Sequence, residues 1–559
     1  MPLKEELYCG DNLEMLRDYV PDGSVDLVYL DPPFNSSQNY NVIFRERHGE
    51  RSTSQELVFR DTWKWSEKAE EICRELIEAG GELSEVMRAF KTVLGTSDMM
   101  AYLTMMAPRF RELKRVLKPT GTLFLHCDSN ASHYLKMLLD AVFGKQQFRN
   151  EVIWKRSDAH NDAKRQFGMT SDRLLFYSRS PKGYVFHPQY GKFQDRTLKD
   201  WYQFLEFPDG TVRRMTKEER KSQQIPPGAR RFNTDNLRSP NPRPNLMFDY
   251  KGYKPHRNGW AVCYEKMCDL DKKGLLLFPA TKEGRIMRKR YLDGQKGRVL
   301  GDVWTDISQL RGGDAERLGY PTQKPEALLE RIILATTDEG ATVLDPFCGC
   351  GTAVIAAHRL KRRWIGIDVT HLAIAIIKQR LANNFGFAVF KNLRLVGEPV
   401  NAAEALALAQ EDKFGFQCWA VGKIGAPPIE HKKGADRGID GRIYFHDDLG
   451  AAKHIVISVK AGEHIGPAFV RELRGVMERE KAEMGIMVCI KEPTAEMLHE
   501  AKRAGLYMSI NGNFPRLQII TVAHMFADKP LNIPGRINPY ERKKPSGFKP
   551  PAEQLRLLP

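Results

Sequence analysis

The chain has 559 residues, 42% of them hydrophobic and 28% charged, with a formal net charge of +16. That length is too great for one core and predicts two to four domains, while the absence of any apolar run long enough to cross a bilayer excludes a helical membrane protein. The positive balance points to a polyanionic partner, most simply nucleic acid.

The N-terminus "MPLKEELYCGDN" has no signal-peptide core, so a cytoplasmic protein is expected. Its nine cysteines are scattered, and the pairs Cys263/Cys268 and Cys348/Cys350 lack the double pairing of a zinc site; reduced thiols and no metal are expected. Residues 1–150 alternate strand-like and helix-like stretches. "VDLVYL" and "GTLFLHC" read as buried strands, "SHYLKMLLDAVF" as a helix capped by Asp128 or Ser129, and "MMAYLTMMAPRFRELKRVLK" as an amphipathic helix. Such alternation predicts an α/β fold with mostly parallel strands. The methionines at 99–106 read as core filling. His126, His133 and Cys127 stand at or near a strand end without a third metal ligand, so packing and hydrogen bonding are expected of them.

Residues 151–300 lose this periodicity and are dense in Arg, Lys, Pro, Asn and aromatic residues, which predicts an inserted domain. The α/β pattern resumes in 301–400, where "ATVLDPFCGCGTAVIAAHRLKRRWIGIDVTHLAIAIIKQRL" parses as strand, glycine-rich turn, helix, strand, helix. A second α/β patch fills 401–530, and 531–559 is a basic, Pro-rich tail expected to be disordered.

In "VLDPFCGCGTA" a strand ends at Asp345, and Gly349 and Gly351 allow a tight turn and close ligand approach before a helix. The residues after the second glycine, Thr352-Ala353, are not the Lys-Ser/Thr of a triphosphate loop. The next strand ends in Asp368, seventeen residues beyond Gly351, where a carboxylate meets ribose hydroxyls. The turn suits an adenosine-bearing ligand without phosphates; a structural glycine turn is the other reading.

A second strand ends in "DPPF", Asp31 to Phe34. If the ligand is S-adenosylmethionine, the methyl acceptor can be the exocyclic amine of a nucleobase. Asp31 and the carbonyl of Pro32 would hold its N–H bonds and relocalise its lone pair. Pro32 and Pro33 would stiffen the turn, and Phe34 would stack on the extruded base. A plain strand-ending turn is the alternative for an isolated Asp-Pro-Pro.

Together these stretches resemble the DNA amino-methyltransferases that make N6-methyladenine, in their permuted β-type order. The resemblance covers about residues 5–395. It implies a Rossmann-like methyltransferase, with a catalytic half (1–150), a target-recognition insert (151–300) and a cofactor-binding half (301–400). "YCGDNLEML" resembles the segment whose Asp, here Asp11, contacts the cofactor adenine. "YPTQKPEALLERII" resembles the segment holding the methionine end, with Thr322 and Lys324 as contributors. "LDPFCGCGTA" matches the family's Asp-Pro-Phe-x-Gly-Ser-Gly-Thr with Cys350 for Ser, so that Asp345, Pro346, Phe347, Gly349, Gly351 and Thr352 line the cofactor pocket and Asp368 the ribose. An initial Asp in the tetrad is the adenine-enzyme pattern, where cytosine-N4 enzymes usually begin with Ser. The resemblance implies double-stranded DNA as partner, as monomer or homodimer; a cytosine-N4 enzyme is the alternative.

In the insert, "NLRSPNPRPNLMFDYKGYKP" is the densest basic-aromatic stretch, and Arg238 and Arg243 are the expected DNA contacts. Residues 434–462 resemble the restriction-endonuclease-like fold, with Asp440 and Lys460 as its Asp and Lys, which implies Mg²⁺ only if the domain cuts DNA. Ser458 stands where the fold's Glu or Gln ligand belongs, and Asp447 or Glu430 are the candidate replacements. The readings left open are a bifunctional restriction-modification enzyme and a DNA-binding or docking remnant.

Overall fold

The structure, a computed structural model, describes residues 5–33, 64–158, 167–311, 313–318, 320, 322–426, 438–445, 453–462, 464–510, 512–527 and 531–534. Two units are distinguished, 188–301 and the remainder of the chain.

The larger unit is built on nine strands: β1 (Glu5–Cys9), β2 (Val25–Leu30), β3 (Leu117–Cys127), β4 (Phe148–Lys155), β5 (Ser171–Ser178), β6 (Val303–Trp304), β7 (Thr342–Asp345), β8 (Arg363–Asp368) and β9 (Leu393–Val396). Their order is β6-β4-β5-β3-β2-β7-β8-β1-β9. Every neighbouring pair is parallel except those of β5, which runs against β3 and β4. A sheet covered on both faces needs apolar residues at successive positions, and β2 shows why "VDLVYL" is almost unbroken. Val28 and Leu30 enter the core on one face, Leu27 and Tyr29 the core on the other.

The first face is covered by α1 (Asn12–Tyr19), α2 (Glu67–Glu78), α3 (Glu82–Leu94), α4 (Asp98–Val116) and α5 (Ser132–Phe143). Met100 and Met106 are buried there, as core filling requires. The start of α5 differs from expectation. Its N-cap is Ala131, without a side-chain cap bond, because Asp128 turns back earlier and accepts from the Asn130 and Ala131 amides at 3.1 and 3.0 Å. The second face carries α6 (Glu326–Thr336), α7 (Thr352–Arg359) and α8 (His371–Phe385).

Beyond β9, α9 (Ala402–Glu411) and α10 (Lys413–Lys423) lead to a four-stranded sheet of β10 (Gly441–Phe445), β11 (Lys453–Lys460), β12 (Met484–Cys489) and β13 (Leu517–Thr521), in that order. α10 lies so close to α8 that a Cβ at Gly422 would stand 2.9 Å from the Cβ of Ala375. Its Phe416 and Trp419 enter the core of the C-terminal sheet. No helix among the described residues is long and apolar enough to cross a membrane.

The unit 188–301 is narrower than the insert expected from 151, because 148–155 and 171–178 are strands of the main sheet. It folds around a five-stranded antiparallel sheet, ordered 276–277, 287–291, 230–236, 204–206, 212–214. It holds 25 Lys and Arg against 13 Asp and Glu, a net +12 of the chain's +16.

Candidate active site

Parallel neighbours end on the same edge, and β2, β7, β8 and β1 are consecutive in the sheet. Asp31 follows β2, Asp345 closes β7, Asp368 closes β8, and Gly10-Asp11 follow β1. The register, Val28 against Leu344, Asp345 against Gly366 and Cys9 against Asp368, therefore gathers four carboxyl groups along one rim. This is the strand-end position where open α/β sheets bind ligands.

Between β7 and α7 the chain turns at Gly349 (φ 50°) and Gly351 (φ 78°). A Cβ at Gly351 would lie 2.6 Å from Ile377 Cγ1 of α8, so the turn needs glycine for both conformation and space. Asp368 holds the turn from beside it: Oδ2 accepts the Gly349 N–H at 2.9 Å, and Oδ1 accepts the Thr370 N–H and O–H at 2.9 and 2.8 Å. Arg380 of α8 braces the far side, donating to the Cys350 carbonyl at 2.7 Å and to Glu326 at 2.8 Å. Thr352 opens α7. Pro346 is buried, and its carbonyl accepts from Asn12 Nδ2 at 2.8 Å.

Asp11 caps α1, accepting from the Leu13 and Glu14 amides at 2.8 and 3.4 Å, and pairs with Arg109 at 2.6 Å. Arg109 also donates to Asn12 Oδ1 at 2.6 Å, so this trio ties the N-terminal half to the glycine turn. The chain from 316 to 324 folds on itself through Gln323, which donates to the Glu316 carbonyl at 2.7 Å and accepts from the Leu318 amide at 2.8 Å. Thr322 sits there with φ 65° and is exposed. The same segment delivers Lys324 to Asp31, with which it forms an ion pair.

Electrostatically the rim is crowded with carboxyl groups that oppose one another's ionisation. Burial, and then the charges of Asp31 and Asp368, hold the Asp345 carboxyl well above its ordinary range. Burial also raises Asp368, against the hydrogen bonds from Thr370 and Gly349. Carboxyl groups whose ionisation is opposed by burial and by one another are relieved by a nearby cation, so the rim favours a cationic ligand. A glycine-walled turn beside a strand-end carboxylate fits the nucleoside part of such a ligand, so the residues present suit a sulfonium-bearing adenosine.

The structure thus brings Asp31, Pro32, Pro33, Asp11, Lys324, Asp345, Pro346, Phe347, Gly349, Gly351, Thr352 and Asp368 to one edge. Phe34 lies outside the described residues. Arg238 and Arg243 belong to the separate 188–301 unit, where both are exposed and neither forms an ion pair among the described residues. In that unit Arg213, Arg230 and Arg290 are matched to Glu219, Asp293 and Asp235 at 2.7, 2.9 and 2.6 Å. Arg109, Asn12 and Arg380 escaped sequence reading because their role is to reach main-chain and carboxyl partners distant in the chain.

The described residues of the C-terminal sheet do not assemble the Mg²⁺ site that a DNA-cutting domain would need at Asp440 and Lys460. Asp440 accepts the Val459 N–H at 2.7 Å, Lys460 stands 3.6 Å from Glu472, and Ser458 is buried. No group of three metal-ligating side chains occurs among the described residues, and Asp447 and Glu430 lie outside them. The domain itself matches, over residues 419–521, the family described as NACHT-associated inactive restriction endonuclease. The restriction-endonuclease-like expectation holds; Mg²⁺, expected only if the domain cuts DNA, finds no support among the described residues.

Residues 25–379 match the DNA methylase family of N6 and N4 methyltransferases. The chain is 27% identical over 380 residues to the type II methyltransferase M.EcaI of Enterobacter cloacae, covering 67% of this chain and 69% of that one. It is 25% identical over 388 residues to the Mod subunit of the type III restriction-modification enzyme StyLTI of Salmonella typhimurium, covering 67% of this chain and 52% of that one. The chain thus spans about half the length of the second relative. Among solved structures, a DNA modification methylase from Thermus thermophilus complexed with S-adenosyl-L-methionine covers 71% of this chain and 99% of its own, at 16% identity and a TM-score of 0.32.

Proposed function

The chain belongs to the DNA methylase family, and on that premise we propose that it transfers a methyl group from S-adenosylmethionine to the N6 amine of an adenine flipped out of double-stranded DNA. The observation that carries this reading is the adjacency of β2 and β7. Parallel pairing sets the Asp31 turn and the glycine turn side by side on one rim.

In this reading Asp345, Gly349, Gly351 and Asp368 hold the donor, with Asp11, Thr322, Lys324, Pro346, Phe347 and Thr352 around them. Bound there, the sulfonium supplies an electrophilic methyl group. Asp31 and the Pro32 carbonyl accept the two N–H bonds of the amine, which draws its lone pair out of the ring and stabilises positive charge growing on nitrogen. Consecutive prolines keep both acceptors in place before the base arrives. Lys324 neutralises Asp31 while no amine engages it. The 188–301 unit, with its net +12, supplies phosphate contacts, Arg238 and Arg243 foremost.

The test is labelled-methyl transfer to genomic DNA followed by nucleoside identification. N6-methyladenine is the expected product; N4-methylcytosine overturns the choice of acceptor, and unlabelled DNA overturns the reading.

A further inference from the structure

Three buried polar side chains lie beneath the strand end that carries Asp31, and the chemistry above leaves them unused. Tyr29, His126 and Asp172 are 3%, 0% and 4% exposed and belong to the adjacent strands β2, β3 and β5. The Tyr29 hydroxyl lies 3.0 Å from His126 Nδ1, and His126 Nε2 lies 3.1 Å from Asp172 Oδ2. The second Asp172 oxygen stands 3.3 Å from Arg156 Nε, just past β4. The Trp154 ring of β4 meets the imidazole edge-on at 5.7 Å. A single hydrogen-bonded row thus crosses the sheet under the rim, closed on one side by an indole.

Chemistry assigns the row a direction. Burial opposes ionisation of Asp172, but the hydrogen bond from His126 and the positive charges of Arg156 and Lys324 hold its carboxyl below the ordinary range. An ionised carboxylate only accepts, so His126 Nε2 carries the proton. That leaves the Nδ1 lone pair to accept the Tyr29 O–H. Burying three polar groups is unfavourable unless each is satisfied, and here each satisfies the next. With two ligating residues, the row is no metal site.

Side chains alternate along a strand, so Tyr29 and Asp31 point to the same face of β2. Whatever fixes the Tyr29 ring fixes the direction in which β2 delivers Asp31. We propose that Tyr29, His126 and Asp172 form a positioning relay for the catalytic turn, in which His126 in its Nε2–H form anchors the Tyr29 hydroxyl and so aims Asp31. The relay rests on the reading of Asp31 as the group that receives the acceptor amine.

The test is single-turnover methyl transfer at saturating S-adenosylmethionine and duplex DNA. Tyr29→Phe, which keeps the ring and its packing, lowers the rate by about tenfold, the scale set by small misplacements of reacting groups. KM for both substrates stays unchanged, while the melting temperature falls modestly because His126 Nδ1 is left buried without its partner. Asp172→Asn, whose amide can donate to Nε2 and so releases the tautomer, loses rate as well, and Asp172→Ala falls to the level of Tyr29→Phe. The double variant falls no further, because one row has been broken once. Nitrogen-15 spectra of the histidines in the unaltered protein show His126 protonated at Nε2. Full rate in Tyr29→Phe, a loss expressed in KM, or a proton on Nδ1 in place of Nε2 each overturns the relay alone. No transfer by the unaltered protein overturns the reading of donor and acceptor, and the relay with it.

Discussion

Lys324 and Asp31 form an ion pair across 293 residues of sequence, with side chains only 11% and 16% exposed. The pair joins the segment before α6 to the end of β2, and so the two halves of the rim.

Replacing Asp31 by Asn keeps one acceptor oxygen and removes the negative charge. Methyl transfer is expected to fall by at least about 100-fold, the scale found when a preorganised charge-stabilising group is lost. Single-turnover kinetics check this, with duplex binding by anisotropy retained.

Lys324→Met leaves the Asp31 carboxylate unpaired beside Asp345. Breaking one partner of a largely buried pair costs on the order of 3 kcal/mol. Denaturant unfolding is expected to show that loss, and titration with S-adenosylmethionine a weaker affinity.

The raised Asp345 and Asp368 carboxyls give stability a definite pH slope. A carboxyl whose folded pKa exceeds its unfolded one contributes stability that is complete below about pH 4 and is lost as pH rises through the raised folded value. Asp345→Asn therefore melts higher than the unaltered protein at neutral pH, with the gap closing toward pH 4. A cationic donor favours the ionised form, so its affinity rises with pH over the same window and its binding releases protons. Melting curves across pH and calorimetry in two buffers measure both effects.

Gly351→Ala meets two obstacles at once, φ 78° and Ile377 at 2.6 Å from the new Cβ. A left-handed non-glycine residue costs roughly 1–3 kcal/mol. A lowered melting temperature and weakened S-adenosylmethionine binding are expected, while DNA binding is retained.

In the 188–301 unit, Arg238→Ala and Arg243→Ala are each expected to reduce the log–log salt slope of duplex binding by about 0.9, one phosphate contact apiece. The parallel variant Arg231→Ala should unfold the unit instead, since Arg231 donates to the Tyr202 carbonyl at 2.6 Å and to Gln223 at 2.8 Å. Salt titrations of binding and melting curves separate the two outcomes.

Much of the rim was legible in the chain itself. The strands "VDLVYL", "ATVLD" and "RWIGID" end in Asp31, Asp345 and Asp368 because a strand buried on both faces is apolar until it reaches solvent, and the change from apolar to acidic marks its end. The glycines were legible for a similar reason: the conformations at Gly349 and Gly351 are ones other residues rarely adopt. Misreadings came where local pattern is weak. Asp128 has the composition of a helix cap, yet it closes the turn before the helix, and both choices satisfy the same kind of backbone amide. The insert's start was placed early because β4 and β5, "FRNEVIWK" and "SDRLLFYS", flank a stretch with no period.

Sequence alone determined the strands, their acidic ends, the glycine turn and the segregation of positive charge into the insert, since each follows from local periodicity, conformational preference or composition. Tertiary structure decided which of those ends are neighbours, that Lys324 meets Asp31, that Arg380 and Arg109 brace the turn, and that Tyr29, His126 and Asp172 line up beneath it. Those are contacts between residues remote in the chain, and only strand order and register bring them within hydrogen-bonding distance.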